Sequence, residues 1–251
     1  VEKPLAMDLS QARALVEQCN RNERILSVWF ERRYQPFVKK AREIVSDTGV
    51  GDVEMCTVNT LGFKSDSYWT YGFRNDGPLT DWRRHADTSG GGVLNLNSCH
   101  QIDLILHITG LEVVEVFAFA RRSDPQADVE TSMIMALRCR NGELINVVAS
   151  SKAFGLGRYP IYAANDLIIG SEGSIVLGSP LIWKNRLQAD HRYDDAILDL
   201  VECKTLAVED YCQALLNKER PPIDPSEAIR VLSIIRAAYQ SVREGGPVSI
   251  G

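Results

Sequence analysis

The residues Gly90 to Asp103 read GGGVLNLNSCHQID and place glycines, amides and ionisable side chains in one otherwise apolar run. If this run is helical, Leu96, His100, Asp103 and His107 follow one another at steps of four, three and four. Those steps put the four side chains on one face of the helix. A plain core helix would carry only apolar residues there, so the sequence predicts a helix with a polar face. We expect it to start near Ser89 as its N-cap and to end at Gly110.

A metal is the first ligand to consider for such a face. The spacing of His100, Asp103 and His107 could hold a metal ion, but H-x-x-D-x-x-x-H is not a recognised zinc pattern. A hydrogen-bonded core histidine is the commoner outcome, and we therefore predict no metal site. Lys3, considered alone, would be a solvated lysine near a terminus.

Helical and strand patterns precede this segment. Apolar residues repeat at helical spacing from Leu9 to Asn20, with Asp8 placed to cap the start. The stretch YQPFVKKAREIVS predicts a second helix with Pro36 in its first turn, while RILSVWF and GDVEMCTVNT predict strands. The irregular stretch from Leu61 to Ser89 is longer than most connectors and rich in aromatic and charged residues, which is typical of functional loops.

Strand patterns follow the glycine-rich segment, and two helical patterns end the chain. The strands are VVEVFAFAR, DVETSMIMALRCR, ELINVVASS, NDLIIG and SIVLG, with Asn141-Gly142 as a hairpin turn. Helices are predicted over 205–217 and 226–243. Helices first, strands second and helices last predict an α+β fold, in which an open, mostly antiparallel sheet has helices on one face.

Composition excludes several classes of partner. The 251 residues carry 28 Lys and Arg against 33 Asp and Glu, a net charge of −5 that favours neither nucleic acid nor an acidic membrane. No apolar run approaches the roughly 18 to 20 residues that span a bilayer. The start VEKPLA lacks the order of a signal peptide, so we expect a cytoplasmic protein. The six cysteines form no C-x-x-C pair and are expected to be free thiols.

Several short motifs, taken in order, resemble one family. They are EKPLA at the start, RRYQP, DWRR followed by SGGGVL, H-x-x-DL, GSEGSI and the final AAYQSVREGGPVSI. Together they resemble the carboxyl-terminal portion of the glucose–fructose oxidoreductase / inositol dehydrogenase (Gfo/Idh/MocA) family. The resemblance implies that residues 1–8 are a linker from an N-terminal Rossmann domain and that residues 9–251 form the substrate-binding and oligomerisation domain.

The resemblance also implies the chemistry. Its members bind NAD or NADP in the Rossmann domain, and this sequence has no G-x-G-x-x-G of its own. His100 matches the family's catalytic histidine, which takes a proton from a substrate hydroxyl as hydride leaves the same carbon. Lys3 matches the E-K-P lysine beside the reacting oxygen, and Glu2 and Lys3 would lie on the cofactor side. Asp103 is expected to orient or support the site.

One position departs from the family pattern. Many members carry an Asp four residues before the histidine, where this chain has Leu96, which can neither accept a proton nor orient an imidazole. Asn97 is one residue away and would point about 100° off that face unless the helix is locally distorted. Either His100 and Lys3 suffice, or the chemistry of the site has drifted.

Aromatic and arginine side chains are candidates for lining the substrate cleft. Aromatic faces stack on sugar C–H surfaces and arginine forks hold hydroxyls or carboxylates, which suits a sugar or polyol. The candidates are Arg33, Tyr68, Trp69, Trp82 and Arg83, with Asn97 and Asp103 from the glycine-rich helix. The alternative is that the tryptophans only cover the edge of the sheet.

Two functions remain open from the sequence. The first is the substrate domain of an NAD(P)-dependent dehydrogenase or reductase acting on a sugar, polyol or related hydroxy compound, inactive without its nucleotide domain. The second is a non-catalytic oligomerisation or binding module with a vestigial cleft. In either case too few helices are predicted to cover both sheet faces, so a homodimer or homotetramer through the open face is expected.

Overall fold

The fold was analysed in a computed structural model, which describes residues 1–71, 80–154, 166–178, 180–186 and 190–250. The helices in these ranges are α1 Leu9–Arg21, α2 Pro36–Ser46, α3 Asp66–Tyr71, α4 Ala86–Ser89, α5 Cys99–Thr109, α6 Leu200–Asn217 and α7 Pro225–Glu244. The strands are β1 Val53–Leu61, β2 Val113–Arg121, β3 Ser132–Cys139, β4 Leu144–Ser150, β5 Asp166–Gly170, β6 Gly173–Leu177, β7 Leu181–Asn185, β8 Asp190–Tyr193 and β9 Val248–Ser249.

These strands form one sheet in the order β8-β7-β6-β5-β1-β4-β3-β2-β9. Every neighbouring pair is antiparallel except β1 and β4, which run parallel in the centre. The chain can pair β1 with β4 because it leaves the sheet after β1 and returns through α5, β2 and β3. The predicted α+β fold with an open, mostly antiparallel sheet is confirmed.

Helices α1, α2, α5 and α7 form a layer on one face of this sheet. The strands alternate as that layering requires, with Val116, Met135 and Val147 fully buried beneath the helices. Their neighbours Phe119 and Ile134 point to the other face and are 65% and 55% exposed. The described residues therefore leave an apolar strip of the sheet uncovered.

Some local predictions differ from the structure. The stretch RILSVWF is not a strand: it runs beside the chain start, with an isolated bridge between Glu2 and Trp29. The cleft-lining helix does not begin at an N-cap on Ser89, since Ser89 ends α4 and the helical backbone starts after the glycines at Val93. Strands β7, β8 and β9 were not predicted. Residues 72–79 of the predicted functional loop lie outside the described residues.

The predicted caps and thiols agree with the structure elsewhere. Asp8 accepts a hydrogen bond from the backbone N–H of Gln11 and caps α1. Gly110 adopts a left-handed conformation and ends α5. All six cysteines are free, and of these only Cys212 is exposed.

Candidate active site

The glycine-rich segment is shaped by close contacts with the helix layer and the sheet. Gly91 has a φ of +143°, and a Cβ there would lie 1.9 Å from the hydroxyl of Tyr239. A Cβ on Gly92 would lie 2.0 Å from the carbonyl oxygen of Glu130. These glycines let the backbone pass where no larger residue fits.

Glu130 holds the start of the helix that follows. Its buried carboxylate accepts hydrogen bonds from the backbone N–H groups of Gly92 and Leu94, at 2.9 and 2.8 Å, and from the Tyr239 hydroxyl at 3.1 Å. These are the N–H groups that a helix start would otherwise offer to a phosphate. These N–H groups are therefore not available to bind the pyrophosphate of a dinucleotide.

Residues Leu94–Ser98 form a π-helical turn directly before α5. A π turn accommodates an extra residue and changes the angle between successive side chains, a distortion often found at functional sites. Leu96 packs with Trp69 and Val129 in a small hydrophobic cluster, whereas Asn97 lines an adjacent cleft. The distortion thus brings the amide of Asn97, rather than Leu96, to the site.

The cleft lies at the carboxyl ends of the two parallel strands. The space that its walls enclose is small, about 30 Å³, and the rest of the cleft is open to solvent. Its walls come from β1, β4, the π turn, α5 and the turn that carries Arg32. The lining residues are Arg32, Asn59, Thr60, Leu61, Gly62, Lys64, Val93, Asn97, Gln101 and Ser150.

Three side-chain oxygens in this lining are buried and have no hydrogen-bond partner within the described part of the chain. They are Thr60 Oγ1, Asn97 Oδ1 and Gln101 Oε1. Buried polar atoms are normally paired, and an unpaired one costs about 1–3 kcal/mol. All three belong to residues that line the same cleft, which makes this cleft the candidate site.

His100 is buried beside this cleft and one turn from Asn97. Its ring meets Phe30 edge to face at 6.1 Å, and its Nδ1 has no partner among the described residues. Burial, with the positive charges of Arg32, Lys3 and Lys204, lowers the pKa of His100 well below its usual value. The imidazole is therefore neutral at pH 7, and the same burial and positive charges disfavour its protonated form.

Lys3 reaches the same region from the start of the chain. Its ammonium donates a hydrogen bond of 2.6 Å to the carbonyl oxygen of Leu96 in the π turn. An ammonium has three N–H groups, so two remain after this contact. The carboxylate of Glu2 pairs with Lys204 at 2.9 Å.

Tyr68 and Arg83 extend the site beyond the cleft. The Arg83 guanidinium lies over the rings of Tyr68 and Trp82, at 5.3 and 4.4 Å. Burial raises the pKa of Tyr68, while hydrogen bonds from Asn97 and Arg83 oppose the shift. Trp82 is partly exposed at the surface, whereas Trp69 is fully buried against Leu96.

Arg33 and Asp103 contact each other rather than the cleft. The Nε of Arg33 donates to Asp103 at 2.8 Å, a second N–H of the same guanidinium bonds the other carboxylate oxygen, and the remaining arm binds Glu227. Burial raises the pKa of Asp103 to about 6, although Arg33 opposes the shift. His107 lies beside Arg42 at 3.1 Å. The predicted common face of α5 is thus divided among separate partners.

Several lining residues were not singled out in the sequence. Arg32 lies inside the RRYQP motif, Gln101 follows His100 directly, and Asn59-Thr60 end an otherwise alternating strand. The polar residues at the end of that strand were the only feature of the sequence that could have indicated a site there. Lys64 had no signal, because its position depends on how the chain leaves β1.

The profile of the GFO/IDH/MocA C-terminal domain matches residues 38–176. The chain belongs to the Gfo/Idh/MocA family. This Gfo/Idh/MocA chain is 24% identical over its whole length to the scyllo-inositol 2-dehydrogenase (NAD(+)) of Bacillus subtilis, covering 70% of that protein. It is 27% identical over 69% of its length to the myo-inositol 2-dehydrogenase of Thermotoga maritima, covering 47% of it.

Solved structures share the fold of this Gfo/Idh/MocA domain. Levoglucosan dehydrogenase, in complex with NADH and L-sorbose, superposes over 100% of this chain and 72% of its own, with a TM-score of 0.85 and 20% identity. The aldose-aldose oxidoreductase of Caulobacter crescentus, complexed with glycerol, covers 99% of this chain and 71% of its own, with a TM-score of 0.80 and 20% identity. No helix in the described ranges is long and apolar enough to cross a membrane, and no three potential metal ligands cluster in those ranges.

Proposed function

We propose that this chain is the substrate domain of a cytoplasmic NAD(P)-dependent oxidoreductase acting on a sugar, polyol or related hydroxy compound. The observation that carries the proposal is the position of neutral His100 and cationic Lys3 beside a cleft with unpaired hydroxyl and amide oxygens. The family and the dehydrogenases among its relatives support it.

The roles follow from the chemistry of each group. His100 takes the proton of a substrate hydroxyl, because its imidazole is neutral and its neighbour Gln101 lines the cleft. Lys3 stabilises the alkoxide that develops, with an N–H not used by Leu96. A bound NAD(P) would supply the acceptor for the hydride. Asn97, Tyr68 and Arg83 contact substrate, with Trp82 at the outer edge.

The other predicted residues receive supporting roles in this proposal. Arg33 and Asp103 hold α5 to the turn before α2, and Trp69 packs under Leu96. Residues 1–8 form the linker to a nucleotide-binding domain, and Glu2 and Lys3 face the cofactor. Glu130 already accepts hydrogen bonds from the N–H groups of Gly92 and Leu94, so the cofactor's phosphates must be bound elsewhere. This is consistent with a separate nucleotide-binding domain joined through the linker.

A non-catalytic module is the second candidate. It is favoured by Leu96, which is packed in a hydrophobic cluster where many relatives carry an Asp. In that case the unpaired cleft oxygens would be remnants of a former site.

Replacing His100 with Ala separates the two candidates. In the protein joined to its nucleotide-binding domain, we expect kcat to fall by roughly 10² to 10⁴, the usual contribution of a positioned base. NADH formation in steady state is the measurement. His107→Ala is the matched control, since His107 lies on the same helix but contacts Arg42 at the surface. Equal activity of the His100→Ala variant and the parent would contradict the catalytic role.

A further inference from the structure

We propose that Asp166, which does not itself line the cleft, is a positioning residue that fixes Asn59 in the wall of the substrate site. The inference rests on the proposed function and adds to it a residue that touches no substrate. Three observations carry it. They are two hydrogen bonds from Asn59 to this carboxylate, the register of β1 with β5, and an electrostatic interaction with Arg32, a second lining residue.

Asp166 holds β1 beyond its described register with β5. That antiparallel register ends at Thr57, which lies opposite Leu167. Two residues further along β1, the backbone N–H of Asn59 donates to a carboxylate oxygen of Asp166 at 2.6 Å. On the other side, Asn59 pairs with Val148 of β4. The strand end that forms the cleft wall is therefore held at both edges.

The side chain of Asn59 is held by the same carboxylate. Its amide also hydrogen-bonds Asp166, so the backbone and the side chain of one residue are anchored at one group. An asparagine amide has one nitrogen that donates and one oxygen that accepts, and a contact with an ionised carboxylate uses the nitrogen. The orientation of Asn59 is thereby fixed, and the adjoining Thr60 is held with it. Both residues line the cleft.

Asp166 also interacts with a second wall of the cleft. The charge of Arg32, on the turn before α2, favours the ionised form of Asp166. On β1 the thiol of Cys56 faces Asp166, and this carboxylate helps to raise its pKa. On β6 the residue paired with Asp166 is the apolar Leu177. Asp166 therefore links the end of β1 to the turn that carries Arg32.

The stability of the fold does not account for a carboxylate at this place. Burial raises the pKa of Asp166 to about 7, which means that the folded protein disfavours the charged form. The ionised carboxylate therefore lowers the free energy of unfolding at about pH 7 and above. It does, however, accept charge-assisted hydrogen bonds from Asn59, which are about twice as strong as neutral ones. These bonds hold the cleft wall more firmly than a neutral group would.

Asp166→Asn tests the positioning role. The asparagine keeps an oxygen for the backbone N–H of Asn59, but its own NH₂ group cannot accept a hydrogen bond from the Asn59 amide. In the protein joined to its nucleotide-binding domain, we expect KM for the sugar or polyol to rise about fivefold or more and kcat to change less than about twofold. Steady-state reduction of NAD(P)⁺ with glucose, xylose, glucitol and myo-inositol is the measurement. Asp194→Asn is the matched control, because Asp194 pairs with Arg192 at the surface.

The pH dependence of KM separates positioning from a purely structural contact. In the parent we expect KM to rise as pH falls from about 8 to about 6, because protonation of Asp166 removes the charge-assisted bonds. In Asp166→Asn this change in KM should be absent. Burial raises the pKa of Asp103 to about 6, but Asp103 titrates equally in both proteins. The difference between the two pH profiles therefore isolates Asp166.

A ligand-free measurement follows the same contact. In the ¹H–¹⁵N spectrum of the 251-residue chain, the backbone amide of Asn59 should shift with an inflection at about pH 7. The inflection should be lost in Asp166→Asn and kept in Asp194→Asn. Thermal unfolding of each variant checks that the fold is retained.

The possible results separate the inference from the proposed function. Turnover with an unchanged KM and an unchanged pH profile in Asp166→Asn overturns the positioning role and leaves the proposed function standing. A parent whose Asn59 amide shows no inflection overturns the positioning role as well. A parent that reduces NAD(P)⁺ with none of the four compounds contradicts the proposed function, and the inference falls with it.

Discussion

At the scale of single residues, Leu96 lies four positions before His100, where the family resemblance of the sequence predicts a carboxylate, but its contacts are hydrophobic. Its side chain packs with Trp69 and Val129 and is almost wholly buried. The Asn97 amide reaches the cleft instead. Leu96 therefore contributes to hydrophobic packing, and the next residue, Asn97, supplies the polar group at the cleft.

Introducing a carboxylate at this position should consequently destabilise the fold. For Leu96→Asp we expect the free energy of unfolding to fall by about 3 kcal/mol or more, since the change leaves a cavity and buries an unpaired charge. Urea unfolding is the measurement. Leu216→Asp, on α6 and 77% exposed, should change stability by less than about 0.5 kcal/mol. Unchanged stability of Leu96→Asp would show that the side chain at this position can reach water.

Asp166 gives the fold a dependence on pH. Burial raises its pKa from 3.8 to about 7, although hydrogen bonds from Asn59 oppose the shift. Between those two values the folded protein binds more protons at this site than the unfolded chain does. The contribution of Asp166 to the free energy of unfolding therefore rises as pH falls from about 7 toward 4.

Asp166→Asn removes this buried charge while keeping an oxygen for the N–H of Asn59. We expect the variant to be more stable than the parent at about pH 8, by an amount on the order of 1 kcal/mol, with the gain disappearing near pH 5. Chemical unfolding at both pH values measures it. Asp194→Asn serves as control, because this exposed carboxylate has a pKa lowered by Arg192 and should give no gain at pH 8. A gain in stability that is the same at both pH values would show that it does not come from the titration of Asp166.

At the scale of elements, the start of the cleft helix depends on two parts of the chain distant in sequence. Glu130, just before β3, accepts the first N–H groups, and Tyr239 on α7 binds the same carboxylate. Arg236 on α7 adds a hydrogen bond to the carbonyl oxygen of Gly90. The helix is thus positioned jointly by the sheet and by α7.

Gly91→Ala should disturb this junction. The alanine would need a φ of +143° and a Cβ 1.9 Å from the Tyr239 hydroxyl, so we expect a loss of at least about 2 kcal/mol in unfolding free energy. Gly246→Ala is the matched control, since a Cβ there meets no atom within 4 Å. Thermal and urea unfolding compare the two. Equal stability of both variants would mean that the segment can shift away from Tyr239.

Periodicity was enough to predict most elements but not the site. Apolar spacing located α1, α2 and the central strands, because each buries one regular face. It did not reveal that Glu130 caps the helix, or that Thr60 and Gln101 share a cleft, because those contacts join residues far apart in the chain. The π turn was also not predicted, and its contact with Lys3 joins residues 93 positions apart, which periodicity does not show.

At the scale of the whole molecule, one face of the sheet exposes apolar side chains that no element in the described ranges covers. Phe119, Ile134 and Leu144 project from three successive strands and are 65%, 55% and 50% exposed. Apolar patches of this kind are uncommon on monomers. We therefore retain the homo-oligomer built sheet to sheet as a proposal.

Ile134→Glu tests that assembly. We expect the parent to sediment as a dimer or tetramer at tens of micromolar, and the variant to dissociate at least about tenfold more readily because a charge replaces a buried contact. Sedimentation equilibrium gives the masses. Leu216→Glu, exposed on α6 away from the sheet, should leave the mass unchanged. A monomeric parent would exclude the interface.

The parallel pairing of β1 with β4 also has a consequence for how the molecule folds. Met55 lies opposite Leu144, so the centre of the sheet joins segments separated by three helices and the β2–β3 hairpin. Contacts between such distant segments carry a large loop-closure cost and slow folding. Because Asn59, Thr60 and Ser150 lie at the ends of these two strands, the cleft does not exist until that closure is complete. A nascent chain therefore has no binding site until β4 has been synthesised.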